Sequence, residues 1–207
     1  MNSNKDIAVM LKEAGILFAI TLLSGLILGF VYELTKEPIR IQEERAIQEA
    51  CSEVFESAAQ FEEITYTLSG ELSQELTADG VEIGSVFEAL GTDGGLLGYV
   101  VQTTSTEGYG GNIVLYMGVT LEGTLNGISI LEIAETPGLG MKAEDELAPQ
   151  FQNKQAAAFT YTKTGSASDS EIDAISGATI TTEAVTNAVN GGLKTVEALR
   201  QGGESGE

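Results

Sequence analysis

The sequence has no histidine, no tryptophan and one cysteine, Cys51, in 207 residues. One cysteine cannot close an internal disulfide. It cannot supply four thiolates to an iron–sulfur cluster, and without histidine no His-ligated haem is held. Structural zinc needs four Cys/His ligands, and a Ser-His-Asp triad needs an imidazole. Redox work by this chain therefore falls to an organic cofactor. Basic residues are scarce too: ten Lys and Arg stand against thirty-one Asp and Glu, a net charge of −21. A nucleic-acid binder needs a basic footprint. No Lys/Arg cluster occurs here, so nucleic acid is excluded as a partner. Most of the carboxylates read as solvated surface.

What charge is missing locally is as informative. Residues 14–32 contain no charged side chain. Nineteen residues at about 1.5 Å each span about 28 Å, close to the hydrocarbon thickness of a bilayer. The run exceeds the roughly 7–15 residues of a signal-peptide core, and no small-x-small site follows it. The reading is a short segment 1–13, then a single retained transmembrane helix over 14–34 with the lipid bilayer as partner. Lys5, Lys12 and the amino terminus precede the span, and Lys36, Arg40 and Arg45 follow it, so charge alone does not orient it. Pro38 suits the first turn of a new helix. Ile47, Ala50, Cys51, Val54, Phe55 and Ala58 then form an apolar stripe, giving a stalk helix over 35–62 that docks on the following domain. Cys51 on that stripe reads as a buried, inert thiol.

Residues 63–200 read as one domain. Short β-rich runs cover 64–68, 97–104, 112–120 and 125–132, separated by glycine-bearing turns, with a further strand at 159–161. Strands followed by a closing helix argue α+β: an antiparallel sheet with flanking helices, preceded by the transmembrane helix. Residues 166–170 are a polar loop, and 201–207 a disordered tail.

Two stretches carry candidate chemistry. The first runs from Asp173 through Ser176, Gly177, Ala178, Thr179, Thr181 and Thr182 into a helix with apolar positions three and four apart. Thr181 or Thr182 can N-cap that helix, with Glu183 in its first turn. Free N–H groups at a helix start attract phosphate. Gly177 and Ala178 allow close approach, and Thr179 adds a hydroxyl beside them. Alone, such a segment is an ordinary capped turn. The second stretch is Glu135, Thr136, Pro137, Gly138, Leu139, Gly140, Met141 and Lys142. Pro137-Gly138 is a strong turn signal. Leu139 and Met141, apolar amid turn residues, suit one face of a flat ring. The loop's N–H groups could meet the polar edge of that ring, and Lys142 could stabilise negative charge on it.

Asp-x-x-Ser-Gly-Ala-Thr resembles the motif on which a flavin transferase attaches FMN through its phosphate. Glu-Thr-Pro-Gly-Leu-Gly is similar to the flavin-side loop of the same FMN-binding family. The order also matches: membrane anchor, Gly-Tyr-x-Gly before a strand pair, the second motif, then the first. The resemblance fits best the G-subunit family of Rnf electron-transport complexes, ahead of the equivalent C-subunit family of the sodium-pumping NADH:quinone reductase. It implies covalent FMN on Thr179, with Asp173 in the transferase's recognition motif. It also implies a cytoplasmic N-terminus, an extracytoplasmic main domain, and other Rnf subunits and a flavin transferase as partners. The complex would pass electrons from ferredoxin to NAD and couple this to Na⁺ or H⁺ transport; this chain would be one component of that translocase, without a complete catalytic site. From Lys36 onward the chain carries a net charge of −20, because only Lys5, Lys12, Asp6, Glu13 and Glu33 precede it. A phosphate monoester of about −1.5 to −2 charge becomes a diester of one charge on attachment and no longer dissociates. The reading from another class is a cofactor-free, membrane-tethered binding or sensing module.

Overall fold

The computed structural model describes residues 3–202; the expected tail lies mostly outside the described residues, and Gln201 and Gly202 continue the last helix. Two compact units divide after Arg45. The boundary falls within helix α1, Ser3–Val54. The apolar span and the stalk were expected as two helices; instead one helix runs through both, with Pro38 inside it. Pro38 lacks the N–H that would bond residue 34. Ion pairs around it hold the neighbouring turns: Lys36 with Glu33 at 2.5 Å, and Arg40 with Glu37 and Glu44. These pairs are exposed to solvent, which screens them, so they add little to stability. Among the described residues, α1 is the one helix long and apolar enough to cross a membrane, and its apolar window is fully exposed.

The second unit is built on an antiparallel meander in the order β1-β2-β3-β4-β5. Its strands are Gln60–Ile64, Val81–Leu90, Leu96–Ser105, Ile113–Thr120 and Leu125–Ile133. Helix α2, Gly70–Ala78, is capped by Ser69, whose side chain accepts from the Leu72 N–H. It joins β1 to β2. Neither α2 nor β2 was legible: Gly84 and Ser85 interrupt the alternation of β2 at a bulge between Ile83 and Val86. Tyr66, expected within a strand, lies after β1, and its hydroxyl donates to the carbonyls of Ile83 and Gly84 at that bulge. After the sheet come the four-residue helix α3 (Ala143–Glu146), 3₁₀ turns on either side, a parallel pair β6 (Thr160–Thr162) and β7 (Glu171–Asp173), and the long helix α4 (Thr179–Gly202).

Alternation along β3 and β4 sends successive side chains to opposite faces. Val101, Leu115, Met117 and Val119 meet Val185, Ala188, Val189 and Val196 of α4. On the other face Val100 and Tyr116 meet Ala50, Cys51 and Val54 from the last turns of α1, and Phe55 just after it. The stripe expected at the end of the stalk is thus buried, and the sheet is covered on both sides. Burial pushes the Cys51 thiol up to about 12, which leaves it protonated and unreactive at neutral pH.

Candidate functional site

Strand register assembles the site. Pairing of Ile113 with Ile133 sets the segment before β4 beside the segment after β5. Gly108, Tyr109, Gly110 and Gly111 therefore lie against Ala134 and Glu135. A Cβ on Gly110 would stand 2.0 Å from the Ala134 carbonyl oxygen, so this loop rests directly on the backbone leaving β5. Glu135 is buried, 7% exposed; its Oε1 accepts from the Gly110 N–H at 3.4 Å. Its other oxygen has no partner among the described residues.

The loop after Glu135 is a tight Pro-Gly turn. The Thr136 carbonyl accepts from the Leu139 N–H at 3.1 Å and from the Met141 N–H at 3.3 Å. Gly138 has φ +78°, which Pro-Gly turns of this kind require at their third position. The N–H groups of Leu139, Met141 and Lys142 are used inside the loop, whereas that of Gly140 donates to no described residue. Gly140 is packed too closely for a side chain: a Cβ would lie 2.5 Å from Thr181 Oγ1 and 2.8 Å from the Glu135 Cβ.

The start of α4 completes the site. Gln150 grips Asp173 at the end of β7: its Oε1 accepts the Asp173 N–H at 2.7 Å and its Nε2 donates to the Asp173 carbonyl at 3.1 Å. A turn follows, with the Ala178 N–H donating to the Ile175 carbonyl and Gly177 at φ +80°. Helix α4 then begins at Thr179, earlier than expected. Its first helical bond is Thr182 N–H to Ala178 carbonyl, so the N–H groups of Thr179, Ile180 and Thr181 have no helical carbonyl to meet. Thr182 is not the N-cap. It is buried at the fourth position of the helix, where its hydroxyl accepts from the Ile175 N–H at 3.2 Å and donates to the Ala178 carbonyl at 3.0 Å. Glu183 likewise falls beyond the first turn, which carries no acidic residue.

These segments enclose one cavity of about 500 Å³, lined by Tyr109, Glu135, Thr136, Leu139, Gly140, Gly177, Ala178, Thr179, Ile180 and Thr181. That volume is within the range of about 300–1,000 Å³ typical of small-molecule sites. The structure thus brings Glu135, Thr136, Leu139 and Gly140 together with Gly177, Ala178 and Thr179. Pro137, Gly138 and Ser176 shape the turns without lining the cavity. Lys142 does not reach it: its ammonium bonds Glu146 at 2.9 Å on the next helical turn. Asp173 is exposed, with Oδ1 accepting from the Ser166 N–H at 2.5 Å. Tyr109, Ile180 and Thr181 also line the cavity, although the sequence assigns none of them to a cofactor site: Thr181 is a candidate cap there, and Tyr109 stands in the Gly-Tyr-x-Gly before the strand pair. For Tyr109 and Ile180 the signal is exposure: every exposed large apolar side chain outside α1, namely Tyr109, Leu139, Met141 and Ile180, lies on these segments, whereas Thr181 is buried. A second cavity, about 370 Å³, lies along the C-terminal half of α4; its Lys194 and Arg200 are already paired, with Glu75 and Asp79 and with Glu197.

Comparison with known proteins agrees with this layout. Residues 108–194 match the FMN-binding domain, and residues 1–54 match the RnfG N-terminal region. The chain is 31% identical over 202 residues to the G subunit of the Na⁺-translocating ferredoxin:NAD⁺ oxidoreductase complex of Acetobacterium woodii, covering 94% of this chain and 95% of that one. It is 32% identical to the G subunit of the proton-translocating ferredoxin:NAD⁺ oxidoreductase complex of Clostridium ljungdahlii, covering 92% and 97%. It is 28% identical to the G subunit of the ion-translocating oxidoreductase complex of Methanosarcina acetivorans, covering 96% and 98%. Among solved structures, NqrC of Shewanella oneidensis superposes with a TM-score of 0.49 at 23% identity, covering 59% of this chain and 61% of that one. Matches of this length and identity, spanning the apolar helix and the cavity-bearing unit alike, make the chain a member of the G-subunit family of ion-translocating oxidoreductase complexes.

Proposed function

We propose that this chain is the membrane-anchored, FMN-carrying electron-transfer subunit of an ion-translocating ferredoxin:NAD oxidoreductase complex, with FMN joined through its phosphate to Thr179. The observation that carries the reading is the convergence of two separate motifs on one cavity: Thr179 at the helix start, and Leu139 and Gly140 from the turn after β5. The donor set suits the group. Three N–H groups at the first turn of a 24-residue helix favour an anion there, and no carboxylate in that turn opposes it. Leu139 and Ile180 offer exposed apolar area to a flat ring. The Gly140 N–H is available to a polar ring edge.

FMN, when bound, supplies passage between one-electron and two-electron steps. The chain's own residues bind, orient and shield it, and none acts as a general base or nucleophile. Gly177 keeps the backbone low beside the attachment point; Thr182 holds the turn through Ile175. Asp173, exposed at the end of β7, is open to a flavin transferase, and the second unit lies outside the cytoplasm. Other subunits of the complex hold the ferredoxin, NAD and ion sites. The coupling ion is Na⁺ or H⁺: relatives of nearly equal identity to this chain are named for each.

Co-expression with a flavin transferase tests the reading. The chain should turn yellow and fluoresce in a denaturing gel, with FMN mass on Thr179 in the peptide spanning residues 164–194. Thr179→Ala should abolish covalent flavin while leaving the circular dichroism spectrum unchanged. A colourless wild-type chain, or FMN mass on Ser176, Thr181 or Thr182, would refute it.

A further inference from the structure

We propose that Tyr109 forms a wall of the FMN site and that Glu135 is the positioning residue that holds it there; this rests on the reading of the cavity as a flavin site. Tyr109 is 71% exposed, the highest exposure among the large apolar side chains outside α1. It is also the only aromatic residue lining the cavity. An aromatic ring gains nothing from standing in water, and a second flat ring is a natural cover for it. The loop bearing Tyr109 is not loosely hung. A Cβ on Gly108 would stand 2.2 Å from the Gly111 carbonyl oxygen and 2.8 Å from Glu135 Oε1, and one on Gly110 would strike the Ala134 carbonyl. Small residues thus let the loop lie flush on residues 134 and 135.

Glu135 joins the two sides of the cavity. One face of its side chain meets Gly108 and accepts the Gly110 N–H; the other meets Gly140, with Oε2 2.9 Å from where a Gly140 Cβ would stand. The side chain therefore ties the Tyr109 loop to the turn that presents Leu139. Loss of the carboxylate frees the Tyr109 loop without touching Thr179. A phenol ring beside an oxidised flavin quenches its fluorescence by donating electron density. It also disfavours the more electron-rich reduced ring and lowers the reduction potential.

The test uses the full chain, flavinylated in cells and purified in detergent, with covalent FMN confirmed by mass in every variant. Tyr109→Ala should brighten the flavin, increase its quenching by iodide and raise its reduction potential. Tyr109→Phe should brighten it too, since benzene is a poor donor, yet keep the iodide shielding. Glu135→Ala should open the flavin to iodide with Tyr109 still present, and adding Tyr109→Ala should increase access no further. Glu135→Gln, which can still accept the Gly110 N–H, should restore the shielding. Wild-type brightness and iodide access in Tyr109→Ala would overturn the wall. Wild-type iodide access in Glu135→Ala, or failure of Glu135→Gln to restore shielding, would overturn the brace. Absence of FMN from the wild-type chain would instead sink the flavin reading.

Discussion

Thr182→Val separates a buried strut from a helix cap. Thr182 is fully buried, and its hydroxyl is the acceptor for the N–H of Ile175, itself 4% exposed. Valine keeps the shape and removes that acceptor. An unpaired buried donor costs about 1–3 kcal/mol. The hydroxyl's other bond adds little, because the Ala178 carbonyl keeps the Thr182 N–H as a donor. The expected loss is therefore about 1–3 kcal/mol, a fall in Tm of roughly 2–12 °C for a chain of this size. Thermal unfolding followed by circular dichroism in detergent measures it, and amide exchange at Ile175 should accelerate. Thr182→Asp sharpens the test. At a true N-cap aspartate serves as well as threonine; here it buries a carboxylate and should be worse than valine. A Thr182→Val loss below about 0.5 kcal/mol with Ile175 still protected, the usual range for surface changes, would refute the strut.

Three further outcomes are expected. Leu139→Ala should shift the flavin spectrum or reduction potential while covalent yield persists; an unchanged spectrum and potential would remove Leu139 from the ring's surroundings. Burial raises Cys51 from 9.0 to about 12 and, with help from nearby Cys51, Glu63 and Glu132, Tyr116 from 10.0 to about 12. The unfolded chain therefore loses these protons first, so stability is complete below about pH 9 and falls as pH rises toward 12. Urea midpoints across the alkaline range check this, and Cys51→Ala should flatten the decline. A reporter active only in the cytoplasm, fused after Phe61, should stay silent if the second unit is extracytoplasmic; an active fusion would reverse that orientation.

What was legible in the sequence was local. Charge-free residues 14–32, the stripe from Ile47 to Ala58, the Pro137-Gly138 turn and the three-four spacing of α4 each depend on neighbours a few residues away. The absence of histidine and the single cysteine bounded the chemistry with no structure at all. Less legible were elements whose local preference is weak. The bulged β2 carries Gly84 and Ser85 in mid-strand, and β7 is three residues long; pairing partners stabilise both. Pro38 shows the converse, a strong local breaker inside a continuous helix.

The motif residues could be named from sequence, but their company was set by tertiary structure. Glu135 lies twenty-five residues from Gly110 and meets it only because Ile113 pairs with Ile133. Thr181 reaches Gly140 only because the apolar stripe of α4 is buried on the sheet, which sets where the helix begins. That same docking turned Thr182 from an expected cap into a buried strut. It made Tyr109 and Ile180 part of the cavity, while Lys142, one helical turn away, paired with Glu146 instead. Hydroxyls, glycines and turn signals are properties of single residues and short windows. A cavity is a property of strand register and helix docking, which join positions that no short window contains.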